Sequence, residues 1–464
     1  MAETQQTISP IDGSVYAERP FARSSEIDAA LDRAVRAQRD WAGRRIAERA
    51  AFCARFCAAL LSHIDEIALE LTWQMGRPVA QTPGEVKTCI ERAKFMIAAA
   101  EQGLAPLDPG PKEGFKRYVK RVPLGVVFVI APWNYPFLTA VNTIIPAIMA
   151  GNVVVLKHAA QTQLVAERFQ QAFDEAGLPE NVFQYLHIAS ATAEALVKDV
   201  RIAHVAFTGS VAVGHAVSRA AADRFISVGL ELGGKDPAYV RADADLAFAA
   251  ENLVDGAFFN SGQSCCGIER IYVHETVFDE FVERAVVVTN EYRLGNPIDR
   301  SVNLGPVVSA KAASFIRAQV VEAVAQGART LIDPARFAAD APGSPYMAPQ
   351  ILVDVTHAMR VMTEESFGPV VGIMKVGDDE EAIRLMNDSA YGLTAALFTA
   401  NLSAAEAIGA RLETGTVFMN RCDNLDPALP WVGVKDTGRG HTLSVWGYEH
   451  LTRPQSFHLR LSGG

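Results

Sequence analysis

The chain has 464 residues, of which 49% are hydrophobic and 21% are charged, and its formal net charge is −10. This length exceeds the usual size of one domain, and the composition is typical of an ordered, globular protein. An acidic chain without a basic run lacks the positive surface that nucleic acid or an anionic membrane requires. We therefore expect no nucleic-acid partner and no membrane partner.

The cysteine content points to a reducing compartment. The six cysteines are Cys53, Cys57, Cys89, Cys265, Cys266 and Cys422. They show no repeated CxxC spacing, so we expect no metal site. The first residues lack the charged segment and apolar core of a signal peptide, and the most apolar stretch, residues 137–156, is interrupted by Asn142, Pro146 and Gly151. These features predict a cytoplasmic protein with free thiols.

Residues 24–78 have the apolar periodicity of helices. Ser25 is the expected N-cap, because Asp28 follows three residues later. Gly76 and Pro78 are expected to end this helical segment.

Short runs of β-branched and other apolar residues alternate with helical stretches from about residue 115 onward. The first series is "GVVFVIAP", "NVVVLKH", "NVFQYLHI" and "HVAFTGS". A second series after residue 268 is "IERIYVHETV", "YMAPQILVDV", "GPVVGIMKV", "LTAALFTA" and "GTVFMN". This alternation predicts an α/β fold with two doubly wound parallel sheets, joined near residues 229–236.

Two motifs stand at strand ends, where α/β sheets bind ligands. "FTGSVAVG" follows a strand and opens a helix, but it has neither GxGxxG spacing nor the Lys and Ser/Thr of a Walker A loop. Such a turn presents N–H groups suited to a pyrophosphate, although an ordinary tight turn is the alternative. In "PWNYP" two prolines stiffen a loop around Asn134, whose amide is a neutral donor suited to a developing oxyanion. A rigid turn with a packed Trp is the alternative there.

Three further stretches carry reactive side chains. In "ELGGK", Glu231 follows an apolar run and is a candidate general base, with a surface-paired Glu as the alternative. "GQSCCG" places Cys265 beside Cys266, and this pair fits a vicinal disulfide, half a metal site, core filler, or a nucleophile with a bystander. A thiol nucleophile needs access and a stabilised thiolate, for example from helix N-terminal amides. "EESFGP" adds two carboxylates and an aromatic ring.

Together these stretches resemble the aldehyde dehydrogenase superfamily over nearly the whole chain. The ordered set is "PWNYP", "LKHAAQT", "FTGSVAVG", "ELGGK", "GQSCC", "EESFGP", "PWVGVKDTGRG" and "LTRPQSF". The resemblance implies a Rossmann-like NAD(P)-binding domain, a catalytic domain and a small β oligomerisation or bridging element. The implied limits are 1–113 with 124–230, 231–436, and 114–123 with 437–464 respectively.

The resemblance also implies the chemistry, which is oxidation of an aldehyde to a carboxylic acid. Cys265, in the Gly-Gln-x-Cys frame, would be the nucleophile, and the Asn134 amide with the Cys265 N–H would hold the oxyanion. Glu231 would activate the water that releases the acid, and its presence favours hydrolysis over transfer to coenzyme A. Cys266 would face away from the aldehyde as a bystander, although it could trap an oxidised Cys265 in a reversible disulfide.

The cofactor is expected to be NAD or NADP. The implied cofactor-binding residues are Trp133, Lys157, Gly209, Ser210, Glu365 and Phe367. Many NAD-preferring relatives carry a Glu where this chain has Ala160. Because a carboxylate there would repel a 2′-phosphate, we expect NADP to be tolerated beside NAD.

The implied substrate pocket contains Tyr135, Leu425 and Trp431, which favour an apolar or aromatic aldehyde. Arg421 could instead meet the carboxylate of a semialdehyde, unless it pairs with Asp423 or Asp426. An acylating relative, a thiol hydrolase and a catalytically silent binding protein on the same fold are further functions that the sequence leaves open. The strand-like C-terminal segment is expected to bridge subunits of a homodimer or homotetramer.

Overall fold

The computed structural model describes residues 3–461. The strands are β1 Thr4–Ile8, β2 Val15–Pro20, β3 Phe115–Pro123, β4 Val126–Ala131, β5 Val153–His158, β6 Phe183–Tyr185, β7 Ile202–Thr208, β8 Ser227–Glu231, β9 Asp236–Val240, β10 Ile268–His274, β11 Arg329–Thr330, β12 Gln350–Val353, β13 Val370–Val376, β14 Thr394–Phe398, β15 Thr416–Met419, β16 Trp431–Val432, β17 Gly438–Arg439, β18 His441–Thr442 and β19 Thr452–Arg460. The helices are α1 Ser24–Ala42, α2 Ile46–Ser62, α3 Ile64–Met75, α4 Thr82–Gly103, α5 Pro136–Ala150, α6 Leu164–Glu175, α7 Ser190–Val197, α8 Val211–Ala220, α9 Leu246–Phe258, α10 Phe278–Thr289, α11 Ala310–Ala325, α12 Arg360–Thr363, α13 Asp379–Asn387 and α14 Leu402–Gly409.

The first sheet has the strand order β17-β8-β7-β4-β5-β6. Its strands β4 to β8 run parallel, and β17 joins the edge antiparallel to β8. Every residue of β4 is buried, as expected for a strand covered on both faces. The register pairs Ala131 with His158 and Thr208 with Glu231. The carboxyl ends of these four strands therefore share one edge, where the loops that carry the predicted site residues begin.

The second sheet has the order β11-β12-β13-β10-β9-β14-β15, and only the short edge strand β11 is antiparallel. Two doubly wound parallel sheets in one α/β chain confirm the fold class predicted from the sequence. The link between the sheets is short, because β8 ends at Glu231 and β9 begins at Asp236. The domain limits remain a prediction; β17 lies in the segment assigned to the bridging element and returns to the first sheet.

Small two-stranded pairs complete the fold, namely β1-β2, β16-β18 and β3-β19. Strands β3 and β19 pair antiparallel along their whole length, from Phe115 with Arg460 to Pro123 with Thr452. Tyr118 stacks on Phe457 across this pair, with ring centroids 4.5 Å apart. These are the segments that the sequence predicted to bridge subunits.

The helical segment before the first sheet consists of three helices, α1 to α3. The prediction of Ser25 as N-cap is wrong: α1 begins at Ser24, because the Arg23 N–H donates to the Glu26 carboxylate at 2.8 Å and fixes the start of the helix there. Gly76 ends α3 as predicted, since its φ of 83° lies in the left-handed region that glycine adopts freely. Within residues 3–461, none of the helices has the length and apolar character that a membrane crossing demands.

Candidate active site

A cavity of about 430 Å³ lies against the carboxyl ends of the first sheet. Its wall contains both the predicted nucleophile, Cys265, and the predicted base, Glu231. It also contains the side chains predicted for the substrate pocket, which are Tyr135, Arg421, Leu425 and Trp431. Residues from distant parts of the chain therefore meet around one space that is large enough for a small molecule.

The nucleophile loop, residues 259–267, leads from α9 into β10. It begins with a 3₁₀ turn in which Asn260 and Ser261 have left-handed φ values of 53° and 56°. Cys265 stands in the turn before β10, so the chain enters a strand and not a helix directly after the thiol. A Cβ on Gly234 would collide with the Cys265 carbonyl oxygen. Only glycine at 234 allows the link after Glu231 to pass this close to Cys265.

Asn134 is buried behind the cavity and is not part of its wall. Its Nδ2 donates to the Gln263 carbonyl at 3.2 Å, which ties the "PWNYP" loop to the nucleophile loop. An amide nitrogen carries two hydrogens, so the second one stays available as a donor.

Glu231 ends β8 at the cavity. Its carboxylate accepts hydrogen bonds from the Thr442 hydroxyl at 2.5 Å and from the Thr208 hydroxyl at 3.4 Å. Burial raises the pKa of Glu231, whereas the hydrogen bond from Thr442 and the charge of Arg92 act in the opposite direction. A carboxylate with a raised pKa is a stronger base toward water, which suits general-base catalysis.

Cys266, the neighbour of the predicted nucleophile, does not lie where the sequence predicted. Cys266 was expected to face away from the aldehyde, but it also lines the cavity. The side chain is held in this position by Asp423, whose carboxylate accepts a hydrogen bond from the Cys266 thiol at 2.8 Å. The hydrogen bond with Cys265, burial and the charge of Asp423 all raise the pKa of Cys266 well above its usual range. The Cys266 proton is engaged in the hydrogen bond to Asp423, which favours Cys265 of the two as the predicted nucleophile.

The "EESFGP" segment lies on the other side of the nucleophile loop. Glu365 accepts a hydrogen bond from the Gly234 N–H at 3.0 Å, and a Cβ on Gly233 would lie 2.5 Å from the Glu365 carboxyl oxygens. Burial and the nearby charge of Glu269 raise the pKa of Glu365 to about 8. The Phe367 ring meets Trp133 edge-on, with centroids 5.6 Å apart.

Buried groups hold this segment in place. Glu269 accepts hydrogen bonds from the N–H groups of Ser366 and Phe367 at 2.8 and 2.9 Å, and it pairs with the buried Lys235. Phe367 has a left-handed φ of 52°. The hydrogen bonds to Glu269 stabilise this unfavourable conformation and aim the ring at Trp133.

The remaining predicted cofactor residues follow neighbouring strands of the first sheet. Lys157 is near the end of β5, and its ammonium has no hydrogen-bond or ion-pair partner within residues 3–461, while burial lowers its pKa. Gly209 and Ser210 follow β7. The Gly209 N–H is already donated to the Glu231 carbonyl at 3.0 Å, but Ser210 caps α8 without a side-chain hydrogen bond. A free cation, a free hydroxyl and a helix start fit the phosphates and ribose of a dinucleotide.

Arg421 is exposed at the cavity, and in the part of the chain that the structure describes it forms no ion pair with Asp423 or Asp426. Asp423 instead accepts from Ser264 and Cys266, and Asp426 accepts from a backbone N–H. The structural ion pair, one of the two roles expected for Arg421, is therefore not seen.

The profile of the aldehyde dehydrogenase family matches residues 1–457. The chain belongs to this family. It is 35% identical over 448 residues to an NADP(+) succinate-semialdehyde dehydrogenase of Deinococcus radiodurans, which covers 96% of this chain and 93% of that protein. It is 34% identical over 452 residues to an NAD(P)+ succinate semialdehyde dehydrogenase of Escherichia coli strain K12, which covers 97% and 96% respectively.

Solved structures agree with this assignment. The fold is similar to a succinic semialdehyde dehydrogenase from Streptococcus pyogenes in complex with NADP+, with a TM-score of 0.93, 28% identity and coverage of 98% of this chain and 100% of that one. It is similar to an NADP-dependent glyceraldehyde-3-phosphate dehydrogenase from Bacillus halodurans, with a TM-score of 0.93, 33% identity and coverage of 99% and 96%. The family resemblance seen in the sequence is thus confirmed.

This aldehyde dehydrogenase has a buried ion pair at its site that the sequence did not reveal. Arg77 pairs with Glu85 and donates to the Asn134 carbonyl at 2.5 Å and to the Asn260 side chain at 3.0 Å. Glu85 in turn accepts from the Phe137 N–H at 2.9 Å, at the start of α5. The pair locks the Asn134 loop against the nucleophile loop. The sequence signal was weak, namely an arginine directly after a helix-ending glycine.

Proposed function

We propose that the protein oxidises an aldehyde to its carboxylic acid with NAD(P)+ and water, through a thioester on Cys265. The observation that carries this proposal is that Cys265 and Glu231 line one cavity, while Asn134 is tied to the same loop as Cys265. The names of the relatives, which are NADP(+) and NAD(P)+ dehydrogenases of a semialdehyde, support the same chemistry.

Each residue has one step in this mechanism. The Cys265 thiolate attacks the aldehyde carbon, and the free Asn134 amide hydrogen with the Cys265 N–H stabilises the oxyanion. A bound NAD(P)+ would supply the acceptor for the hydride that leaves the aldehyde carbon, and Cys265 would then carry the acyl group as a thioester. Glu231 then takes a proton from water, which attacks the thioester and releases the acid and the thiolate.

The proposed cofactor residues fall into two groups. Lys157, Gly209 and Ser210 would contact the adenosine ribose and the pyrophosphate, and Trp133 belongs to the same crevice. Glu365 and Phe367 would hold the nicotinamide ribose and ring beside Cys265, as the contact of Glu365 with the Gly234 N–H supports.

The lack of a carboxylate at Ala160 supports use of both cofactors. Ala160 offers only its backbone carbonyl, which accepts from the Thr7 hydroxyl at 2.7 Å. With Lys157 unpaired nearby, a 2′-phosphate is tolerated. Kinetics with NAD+ and NADP+ test this: a preference for NAD+ above about a hundredfold would contradict it, and Ala160→Glu is expected to shift the preference toward NAD+ by tenfold or more, about 1.4 kcal/mol.

Two substrate classes compete. Tyr135, Leu425 and Trp431 give the cavity apolar surface that suits an apolar or aromatic aldehyde. The relatives named as succinate-semialdehyde dehydrogenases favour an aldehyde that carries a carboxylate, and the unpaired Arg421 at the cavity supports the same class. We retain both and give preference to the semialdehyde, because the cavity wall also contains polar side chains.

We also propose a homodimer or homotetramer in which β3 and β19 take part in the subunit contact. The exposed apolar side chains of Leu459 and Leu461 at the end of this pair support the proposal. All six cysteines are unpaired, as a reducing cytoplasm would keep them.

The decisive experiment follows NAD(P)H absorbance with a panel of aldehydes, with and without coenzyme A. We expect oxidation that does not need coenzyme A. Cys265→Ala is expected to abolish turnover by about 10⁴-fold while cofactor binding survives, and the matched variant Cys266→Ala is expected to stay within about tenfold of wild type. Loss of activity in Cys266→Ala alone would contradict the assignment of the nucleophile. Absence of NAD(P)H formation with every aldehyde would favour a catalytically silent binding protein instead.

A further inference from the structure

The cavity that holds Cys265 contains an arginine that no sequence motif pointed to. Arg92, on α4, is only 6% exposed, and it lines the cavity wall. Within residues 3–461 its guanidinium has no carboxylate at ion-pair distance. A buried cation is costly unless an anion or several acceptors replace its lost hydration.

The hydrogen bonds of Arg92 leave most of its donors unused. Its NH1 makes two long contacts of 3.3 Å, to the Leu138 carbonyl and to the Asn142 side-chain oxygen. Its Nε is buried without a partner, and its NH2 donates to no described residue. A guanidinium carries five N–H donors in a planar fork that matches a carboxylate or a phosphate. Nε is enclosed by the protein, so the two hydrogens of NH2, which donate to no described residue, are the donors that Arg92 can offer to an anion in the cavity.

The neighbours of Arg92 in the cavity wall are also polar. Thr88 lies four residues before Arg92 on α4, and Thr139 lies three residues before Asn142 on α5, so each pair shares one helix face. Asn142 is buried and turns its oxygen toward Arg92, which leaves its Nδ2 hydrogens without a partner in the described chain. We call these four residues the helix wall of the cavity.

We propose that Arg92 and Asn142 form the subsite that binds the carboxylate of a short semialdehyde substrate. The proposal rests on the proposed function, because Cys265 must receive the aldehyde end of the same molecule. Arg92 is buried, whereas Arg421 is exposed, and a charged hydrogen bond is stronger where water is excluded. Arg92, and not Arg421, therefore recognises the substrate carboxylate in this subsite.

The test compares succinic semialdehyde with butanal, which has the same four-carbon chain and no carboxylate. Arg92→Met is expected to lower kcat/KM for succinic semialdehyde by about a hundredfold or more, mainly through KM, and to leave butanal within about threefold. Arg92→Lys keeps the charge without the fork and is expected to fall between wild type and Arg92→Met. The charge of Arg92 also acts on Glu231, but that effect is common to both aldehydes and cancels in their ratio.

One matched variant controls for the loss of a buried arginine. Arg49 is also buried with an unpartnered Nε, but it lies against Gly151 and not in the cavity wall. Arg49→Met is expected to keep the ratio of the two kcat/KM values within about threefold of wild type. A fall of this ratio in Arg421→Met but not in Arg92→Met would overturn the proposal, and so would equal losses for both aldehydes in Arg92→Met.

Further outcomes separate the subsite from the proposed function. Wild-type enzyme that oxidises butanal as well as succinic semialdehyde would overturn the subsite alone, whereas oxidation of no aldehyde in the panel would overturn the proposed function. A preference for glyceraldehyde 3-phosphate would assign the subsite to phosphate and overturn the carboxylate. Independently of turnover, succinate is expected to raise the Tm of Cys265→Ala but not of the double variant with Arg92→Met; equal shifts in both would contradict the subsite.

Discussion

The two walls of the cavity use their polar groups in opposite ways. On the strand-end wall, formed by Glu231, Cys265 and the loops behind them, the carboxylate has two hydroxyl donors and the Asn134 loop is held by Arg77. On the helix wall, the NH2 of Arg92 and the Nδ2 of Asn142 have no partner in the described chain. The first wall fixes geometry for chemistry, and the second leaves donors free for a ligand.

This difference shows why one cavity can keep its reaction and change its substrate. Groups that react must be held in place before the substrate arrives, because misplacement lowers the rate steeply. Groups that recognise a substrate must have donors that the protein itself does not satisfy. Substitutions on the strand-end wall should therefore alter rate for every aldehyde, and those on the helix wall should alter the choice among aldehydes.

The largest expected effect in the strand-end wall is that of Glu231→Gln. Loss of the general base should slow thioester hydrolysis by about 10²–10⁴-fold while the first turnover survives. Rapid mixing should then show a burst of one NAD(P)H per site before a slow steady state. Asp255→Asn changes another cavity carboxylate and should show neither effect beyond about threefold. A slow first turnover in Glu231→Gln would place this residue before hydride transfer and contradict the mechanism.

A smaller effect is expected when the support behind this wall is removed. Arg77→Met leaves the buried Glu85 without its cation and should lower the free energy of unfolding by about 3–5 kcal/mol. Arg284→Met removes an exposed partner of Glu280 and should cost at most about 0.5 kcal/mol. Denaturant unfolding measures both variants. Similar losses in the two would show that the Arg77 pair does not hold the loops as the structure indicates.

The smallest expected effect concerns the pH profile. The Thr442 hydroxyl donates to Glu231 and so favours the charged carboxylate, which lowers its pKa. Thr442→Val should therefore raise the pKa of Glu231. Because only the ionised base activates water, the acid limb of the deacylation rate should move to higher pH, and the rates should converge with wild type at alkaline pH. Thr452→Val, which removes a hydroxyl bonded to the Tyr448 carbonyl, should leave the limb in place. If the acid limb does not move, the Thr442 hydroxyl does not control the pKa of Glu231.

Much of the fold was predictable because the parallel strands are short, β-branched and bounded by turns. Strands β4, β5, β10, β13, β14 and β15 all lie within the apolar runs seen in the sequence, and β7 begins two residues before its run. Strand β9 was missed, although it lies at the centre of the second sheet between β10 and β14. It has only five residues and contains Pro237, and a proline inside a short run argues against a strand.

The residues of the site also fall into those that the sequence predicted and those that it missed. Residues that react stand in motifs, so Cys265 and Glu231 could be named from the sequence. Their supports are far away in the chain: Thr442 lies 211 residues from Glu231, and Arg77 lies 57 residues from Asn134. No local spacing records such contacts, because the fold alone brings them together. Arg92 was missed for a similar reason, since an arginine on an amphipathic helix is normally a solvated one.

Strand β17 joins the first sheet near the end of the chain, and this has a consequence for the order in which the active site is completed during synthesis. Synthesis proceeds from the N-terminus, and domains can fold as they emerge. Every parallel strand of both sheets precedes residue 420, whereas β17 and the donor Thr442 follow it. Glu231 therefore gains its hydrogen bond from Thr442 only after the parallel strands of both sheets have been synthesised. The last segment of the chain completes the surroundings of the base and part of the cavity wall.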